Sequence, residues 1–191
     1  IAILALQKLH ELPYPGVDMN STMITETAYK GQQSQYNDPN TPDGRPTIAS
    51  YIKQMLLVSD NNAYNRLYEF LGQDYINKQL AAKGYKNIQV LHRLDLLLSE
   101  DENRHTNPVW FYNPASRQPV YKQPMQFCET QYPPRADFIG KAYYADTALM
   151  NAPMDFSKKN KASLEELHNI LQCLIFPERQ RPEQRFNITE A

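Results

Sequence analysis

Thr47-Ile48-Ala49-Ser50-Tyr51-Ile52-Lys53-Gln54-Met55-Leu56-Leu57-Val58-Ser59-Asp60-Asn61-Asn62-Ala63-Tyr64-Asn65-Arg66-Leu67 is the stretch that decides the fold. Thr47 suits a helix N-cap, and Ile48, Ile52, Met55 and Leu56 then fall on one helical face. The helix breaks at Ser59-Asp60-Asn61, residue types that prefer caps and turns because their side chains bond to nearby backbone. A second helix follows, with Tyr64, Leu67, Tyr68 and Leu71 at helical spacing and Gly72 closing it. Two helices thus meet at a corner bearing a hydroxyl, a carboxylate and a carboxamide in succession. An isolated Ser-Asp-Asn reads as a cap and nothing more. Its place between an apolar helix end and a second helix is what gives it weight.

Outward from this corner, residues 1–12 read as a helix stopped by Leu12-Pro13-Tyr14-Pro15-Gly16. The run from Ile1 to Leu6 reads as the interior of a buried helix, and six residues cannot cross a bilayer. At the other end, residues 186–191 read as an N-cap entering another helix. The expectation is therefore a single domain over 1–191, truncated at both ends. Residues 17–46 are polar and end in the turn formers Asn37 to Gly44. A third helix is predicted from Gln73 to Lys83, burying Ile76 and Leu80, and residues 87–91 read as a short extended piece. From Arg93 to Ala136 no period is sustained and proline is frequent, which predicts a long irregular loop of functional interest. The last helix opens at Ser163 with a capping-box pattern, Ser163-Leu164-Glu165-Glu166. Its apolar stripe is Leu164, Leu167, Leu171, Leu174 and Ile175.

Composition narrows the classes. The 191 residues are 41% hydrophobic and 21% charged, ordinary for a globular chain, which excludes a disordered tail, a collagen or a coiled-coil rod. Twenty Lys and Arg against 21 Asp and Glu leave a charge of -1, so no general nucleic-acid binder is expected. Only 6 glycines argue against phosphate-cradling loops. The four histidines, His10, His92, His105 and His168, have no helical pairing, and Cys128 and Cys173 fit no metal spacing, so neither a metal nor a cofactor is expected. Arg104 and His105 read as braces of the irregular segment. The 13 tyrosines read as core filling in a chain poor in other aromatics. Asn20-Ser21-Thr22 and Asn187-Ile188-Thr189 fit a glycosylation pattern that short sequences often meet by chance.

The corner resembles the second motif of the serine β-lactamase and penicillin-binding-protein superfamily, specifically its class A-like members, in which Ser-Asp-Asn joins two helices. The resemblance covers most of the chain. Ile1–Leu12 is similar to the body of the helix whose first turn carries Ser-x-x-Lys. Tyr36 sits where these enzymes place an aromatic residue at the cleft rim. Arg93-Leu94-Asp95 resembles the opening of the class A Ω-loop, and residues 163–176 resemble the helix that follows it. Asn103-Arg104-His105-Thr106-Asn107-Pro108 and Asp155-Phe156-Ser157-Lys158-Lys159-Asn160 resemble a group of exported serine hydrolases of this superfamily from Bacteroidetes-type bacteria.

The resemblance implies acyl transfer from an amide or ester to a serine nucleophile. Ser59 would relay a proton to the leaving nitrogen. Asn61 would hold a substrate amide and the catalytic lysine, and Tyr36 would line the substrate. Asp60, Arg93 and Asp95 would brace the loops rather than react. The implied partner is a small-molecule or peptide substrate, a β-lactam or a peptidoglycan-like peptide, met in the periplasm or at the cell surface. No Ser-x-x-Lys is expected in a helix-opening position, since the family places it just before Ile1. Lys-Thr-Gly is absent too and belongs on a strand beyond Ala191. Leu98 stands where class A enzymes carry the deacylating Glu, and Glu100 and Glu102 read as solvated charge. The expected fold is therefore mainly α: the helical subdomain of a β-lactamase-like α+β fold with a long Pro-rich irregular loop. The alternative to a hydrolase is a catalytically inactive protein of this fold that binds cell-wall peptide.

Overall fold

A computed structural model describes residues 1–188; the helix expected to open at the C-terminal end and the second glycosylation pattern fall partly or wholly outside them. Helix α1 (Ala2–Glu11) runs to the Pro-flanked turn and buries Leu4, Ala5 and Leu9. Thr47 caps α2 (Ile48–Val58): its hydroxyl accepts from Ser50 N–H while the Ser50 hydroxyl accepts from Thr47 N–H, a reciprocal pair. Helix α3 (Asn61–Leu71) is the core element, burying Ala63, Leu67, Tyr68, Phe70 and Leu71. Gly72 separates it from α4 (Gln73–Ala82) at φ +79, and a Cβ there would lie 2.8 Å from Gln126 Oε1. Two further helices are α5 (Glu100–Arg104) and α6 (Leu164–Ile175).

The mainly α expectation is overturned. Among the described residues, six α-helices share the chain with seven short strands, a mixed α/β fold. Strands β1 (Thr22–Thr25), β2 (Val109–Tyr112) and β3 (Pro119–Gln123) form an antiparallel sheet in that order, with Met23 opposite Phe111 and Val109 opposite Gln123. Met23, Val109 and Phe111 alternate onto the buried face. Phe111 meets Phe70 of α3 edge-on, ring centroids 5.3 Å apart. The segment expected to be irregular therefore supplies two strands. The signal is weak because each strand spans four or five residues, and β1 finds its partner far along the chain. Beyond the sheet, residues 137–156 form an arm in which β4 (Phe138–Ile139) pairs with β7 (Met154–Asp155) and β5 (Tyr143–Ala145) with β6 (Ala148–Met150).

Two helix readings change in detail. Ser163 accepts from Glu166 N–H, but the Glu166 carboxylate turns away from its own cap to accept from Asn87 N–H and Asn87 Nδ2. Only half of the expected capping box forms. Most of the α6 apolar stripe also faces solvent: Leu164 is 85% exposed, and Leu167, Leu171 and Ile175 are exposed with it. The helix turns Glu166 and Cys173 inward instead.

Lys8 ties the layers together. Its ammonium donates to Phe70 O at 2.5 Å, Leu71 O at 3.2 Å and Gln123 Oε1 at 2.8 Å. It therefore completes the carboxyl end of α3, where a cation is favoured. It also lies over the Phe70 ring. Burial draws its pKa down to about 7, with the Glu11 carboxylate pulling the other way.

Candidate active-site corner and the loop behind it

The backbone turns through the left-handed region at Ser59, φ 56, which ends α2 and lets Asp60 N–H reach back to Gln54 O. Asp60 then caps α3, its carboxylate accepting from Ala63 N–H at 2.7 Å. With Asp60 committed to the backbone, the residues on either side point outward. Ser59 and Asn61 are both exposed, and neither side chain has a hydrogen-bond partner among the described residues. Leu57, just before the corner, is 80% exposed.

Tyr36 is held beside this corner through its neighbour. Gln35 pairs with Thr25 through backbone bonds in both directions, and its Oε1 accepts from Asn62 Nδ2 at 2.8 Å. Asn62 in turn accepts from Arg66 Nε at 3.1 Å. Tyr36 is 60% exposed, so its ring is presented rather than packed.

Arg93 lies in the interior. It pairs with Glu69 at 2.7 Å, with both side chains nearly sealed from solvent, and donates to Glu102 O and His105 O. Glu69 also accepts from Asn107 N–H at 2.5 Å. One buried carboxylate on α3 thus fixes the loop at two distant points. Asp95 behaves differently: it is exposed at φ 54, and its side chain makes no hydrogen bond among the described residues. It shapes the turn through its backbone.

The extended piece at 90–94 has no strand beside most of its length, yet its polar groups are satisfied. Asn77 bonds both N–H and C=O of Val90, at 2.9 and 2.8 Å. Asn160 Oδ1 accepts from Leu91 and His92, and Asn103 Oδ1 accepts from Arg93. Asn65 closes the series with two 2.8 Å bonds to Leu94. Carboxamides present a donor and an acceptor side by side, so each can imitate one rung of a neighbouring strand. Glu69 and these asparagines are the functional bracing residues that sequence reasoning missed. A carboxylate inside the apolar run Tyr68-Glu69-Phe70-Leu71 was the available signal.

The groups around Leu98 are also committed. Glu102 accepts from Ser99 N–H and Ser99 Oγ at 2.7 Å, completing the α5 capping box. Those bonds hold its carboxyl below the ordinary carboxylate range. Glu100 pairs with Lys158. His92 accepts from Asn160 N–H at Nε2, so Nδ1 carries the proton and donates to Arg93 O, and burial lowers its pKa. Arg104 donates to Cys128 O at 2.7 Å, and the His105 ring bonds to Asp101 O and stacks on Tyr29.

One serine–lysine spacing does open a helix, contrary to the sequence expectation: Ser50-Tyr51-Ile52-Lys53 in α2. Ser50 Oγ is engaged with Thr47 and, at 3.4 Å, with Asp38, while Lys53 is exposed. Ser50 thus serves the cap, and Lys53 takes no part in it. A hollow of about 570 Å³ behind the loop is lined by His92, Leu98, Glu100 and Arg104 but not by Ser59, Asn61 or Tyr36. Among the described residues no group of three His, Cys, Asp or Glu could hold a metal, and no helix is long and apolar enough to cross a membrane.

The chain is a class A-like member of the serine β-lactamase-like superfamily. The chain belongs to the β-lactamase enzyme family, whose model matches residues 15–187. No curated protein and no solved structure matches it.

Proposed function

We propose that the protein is a serine hydrolase that transfers an acyl group from an amide, in a β-lactam or a cell-wall peptide, to a serine supplied from outside these 191 residues. The observation that carries this reading is the corner itself. Asp60 is consumed by the cap, which leaves Ser59 Oγ and the Asn61 carboxamide two positions apart and open to a bound molecule. Ser59 passes a proton to the leaving nitrogen, Asn61 donates to the substrate carbonyl, and Tyr36 flanks the substrate. Arg93 holds the loop behind them. Such enzymes work outside the cytoplasm, so the protein acts in the periplasm or at the cell surface.

Leu98 in place of a carboxylate, with Glu100 and Glu102 already paired, favours slow release of the acyl group. The same observation favours the second reading, a binder of cell-wall peptide without turnover. Intact-mass measurement of the full-length protein after incubation with a fluorescent penicillin separates them. A stable covalent adduct, formed roughly 100-fold more slowly in Ser59→Ala, is the expected result. A folded full-length protein that never labels overturns the hydrolase reading.

A further inference from the structure

A groove of about 440 Å³ lies beside α4 and shares no lining residue with the Ser59 corner. Four cations line the groove, Lys78, Lys86, Arg135 and Lys161, and no carboxylate does. Asp74, Asp137 and Glu166 bond to lining residues from just outside the groove, so the local excess is one positive charge, and the cations left without a carboxylate are Lys86 and Lys161. The nearby carboxylates are already occupied. Asp74 accepts from Lys78 at 3.1 Å and from Thr130 at 2.7 Å, Asp137 pairs with Arg135 at 2.6 Å, and Glu166 accepts from Asn87. Lys86 and Lys161 are exposed and have no side-chain partner among the described residues.

The walls of the groove are fixed. Gln89 and Lys161 exchange two backbone hydrogen bonds of 2.8 Å, which sets the Lys161 backbone against the loop. Arg135 bonds to Gln89 Oε1 and donates to Phe156 O and Lys159 O, so its guanidinium is held in place. Tyr132 and Thr130 line both this groove and the neighbouring 570 Å³ hollow, where Lys159 and Arg104 add positive charge against Glu100 and Asp101. The two hollows therefore adjoin at Thr130 and Tyr132.

We propose that this groove is a second binding site, for a short chain carrying carboxylate or phosphate oxyanions, with Lys86 and Lys161 as its primary charge contacts. The ammonium groups take the oxyanions, and Gln89 and Tyr132 line the same groove. The site is independent of the hydrolase reading, because no residue of the Ser59 corner lines it.

Fluorescence anisotropy of the full-length protein with a labelled octaglutamate peptide tests it, with octaglutamine as the neutral control. Octaglutamate is expected to bind, more weakly as salt rises, and octaglutamine is not. Lys86→Glu with Lys161→Glu is expected to weaken binding by about tenfold or more, two charge-assisted bonds being lost. Lys53→Glu, on α2, is expected to leave it unchanged. Competition by inorganic tripolyphosphate means that the site reads oxyanion charge from either source, and failure to compete assigns it to carboxylates. No octaglutamate binding at low salt, equal binding of octaglutamine, or an equal loss in Lys53→Glu overturns the site. Circular dichroism of each variant checks that the fold is kept.

Discussion

Lys8 shows two opposing effects at a single residue. Burial disfavours its charge, whereas three oxygens at the end of α3 and the edge of the sheet favour it. Below about pH 7 the ammonium is protonated in both the folded and the unfolded chain. Between there and the ordinary lysine value of 10.5 the folded chain binds fewer protons. Stability from this group therefore rises with pH across that window. Urea unfolding at a series of pH values checks it: the unfolding free energy of the parent should gain on that of Lys8→Met between pH 7 and 10. At pH 7 the substitution itself is expected to cost about 1–3 kcal/mol, because Phe70 O, Leu71 O and Gln123 Oε1 lose their donor. A variant of equal stability would show that desolvation of the charge cancels those bonds.

The elements differ in how far the sequence discloses them. Helices α2, α3 and α4 were legible because caps, apolar spacing and Gly72 all act within one helical turn. The Ser-Asp-Asn corner was legible for the same local reason, as was Arg93 by its setting in Arg93-Leu94-Asp95. The sheet was not, because β1 is only Thr22–Thr25 and its stability comes from burying Met23 against residues distant in sequence. Nor was the outward face of α6, whose Leu164, Leu167 and Leu171 fit a core stripe but receive no cover among the described residues. The extended reading covered residues 87–91, whereas the clamped piece runs over 90–94, and its partners are side chains, which leave no periodic trace. A specific consequence follows for Asn65, whose carboxamide makes both of its bonds to Leu94. Asn65→Ala is expected to destabilise by about 1–3 kcal/mol, since buried groups on the loop lose their partner. Hydrogen exchange separates this from a global effect. The Leu94 amide should lose protection at low denaturant, while amides in the middle of α3 should follow global unfolding. Unchanged protection at Leu94 would mean that Arg93 and Glu69 hold the loop alone.

At the scale of the whole molecule, the two thiols report on the fold as a unit. Cys128 lies where the segment after β3 crosses α4, its Sγ donating to Asp74 at 3.1 Å, and Cys173 lies on the inner side of α6, donating to Gln184 O at 3.4 Å. Both are free and buried. Burial, together with the Asp74 carboxylate, pushes the Cys128 thiol up to about 11. The nucleophile in thiol exchange is the thiolate, so low thiolate character and low access act in the same direction at Cys128. Cys173 is buried too, which limits access of the reagent. An aromatic disulfide reagent at pH 8 is therefore expected to label neither cysteine in the native protein and both in denaturant. The native labelling rate should follow the unfolding equilibrium as urea is raised. If Cys173 labels at low urea well before Cys128, then α6, with its exposed leucines, opens separately from the α1–α4 core. If both label together, α6 belongs to the same cooperative unit despite the apolar face it leaves to solvent.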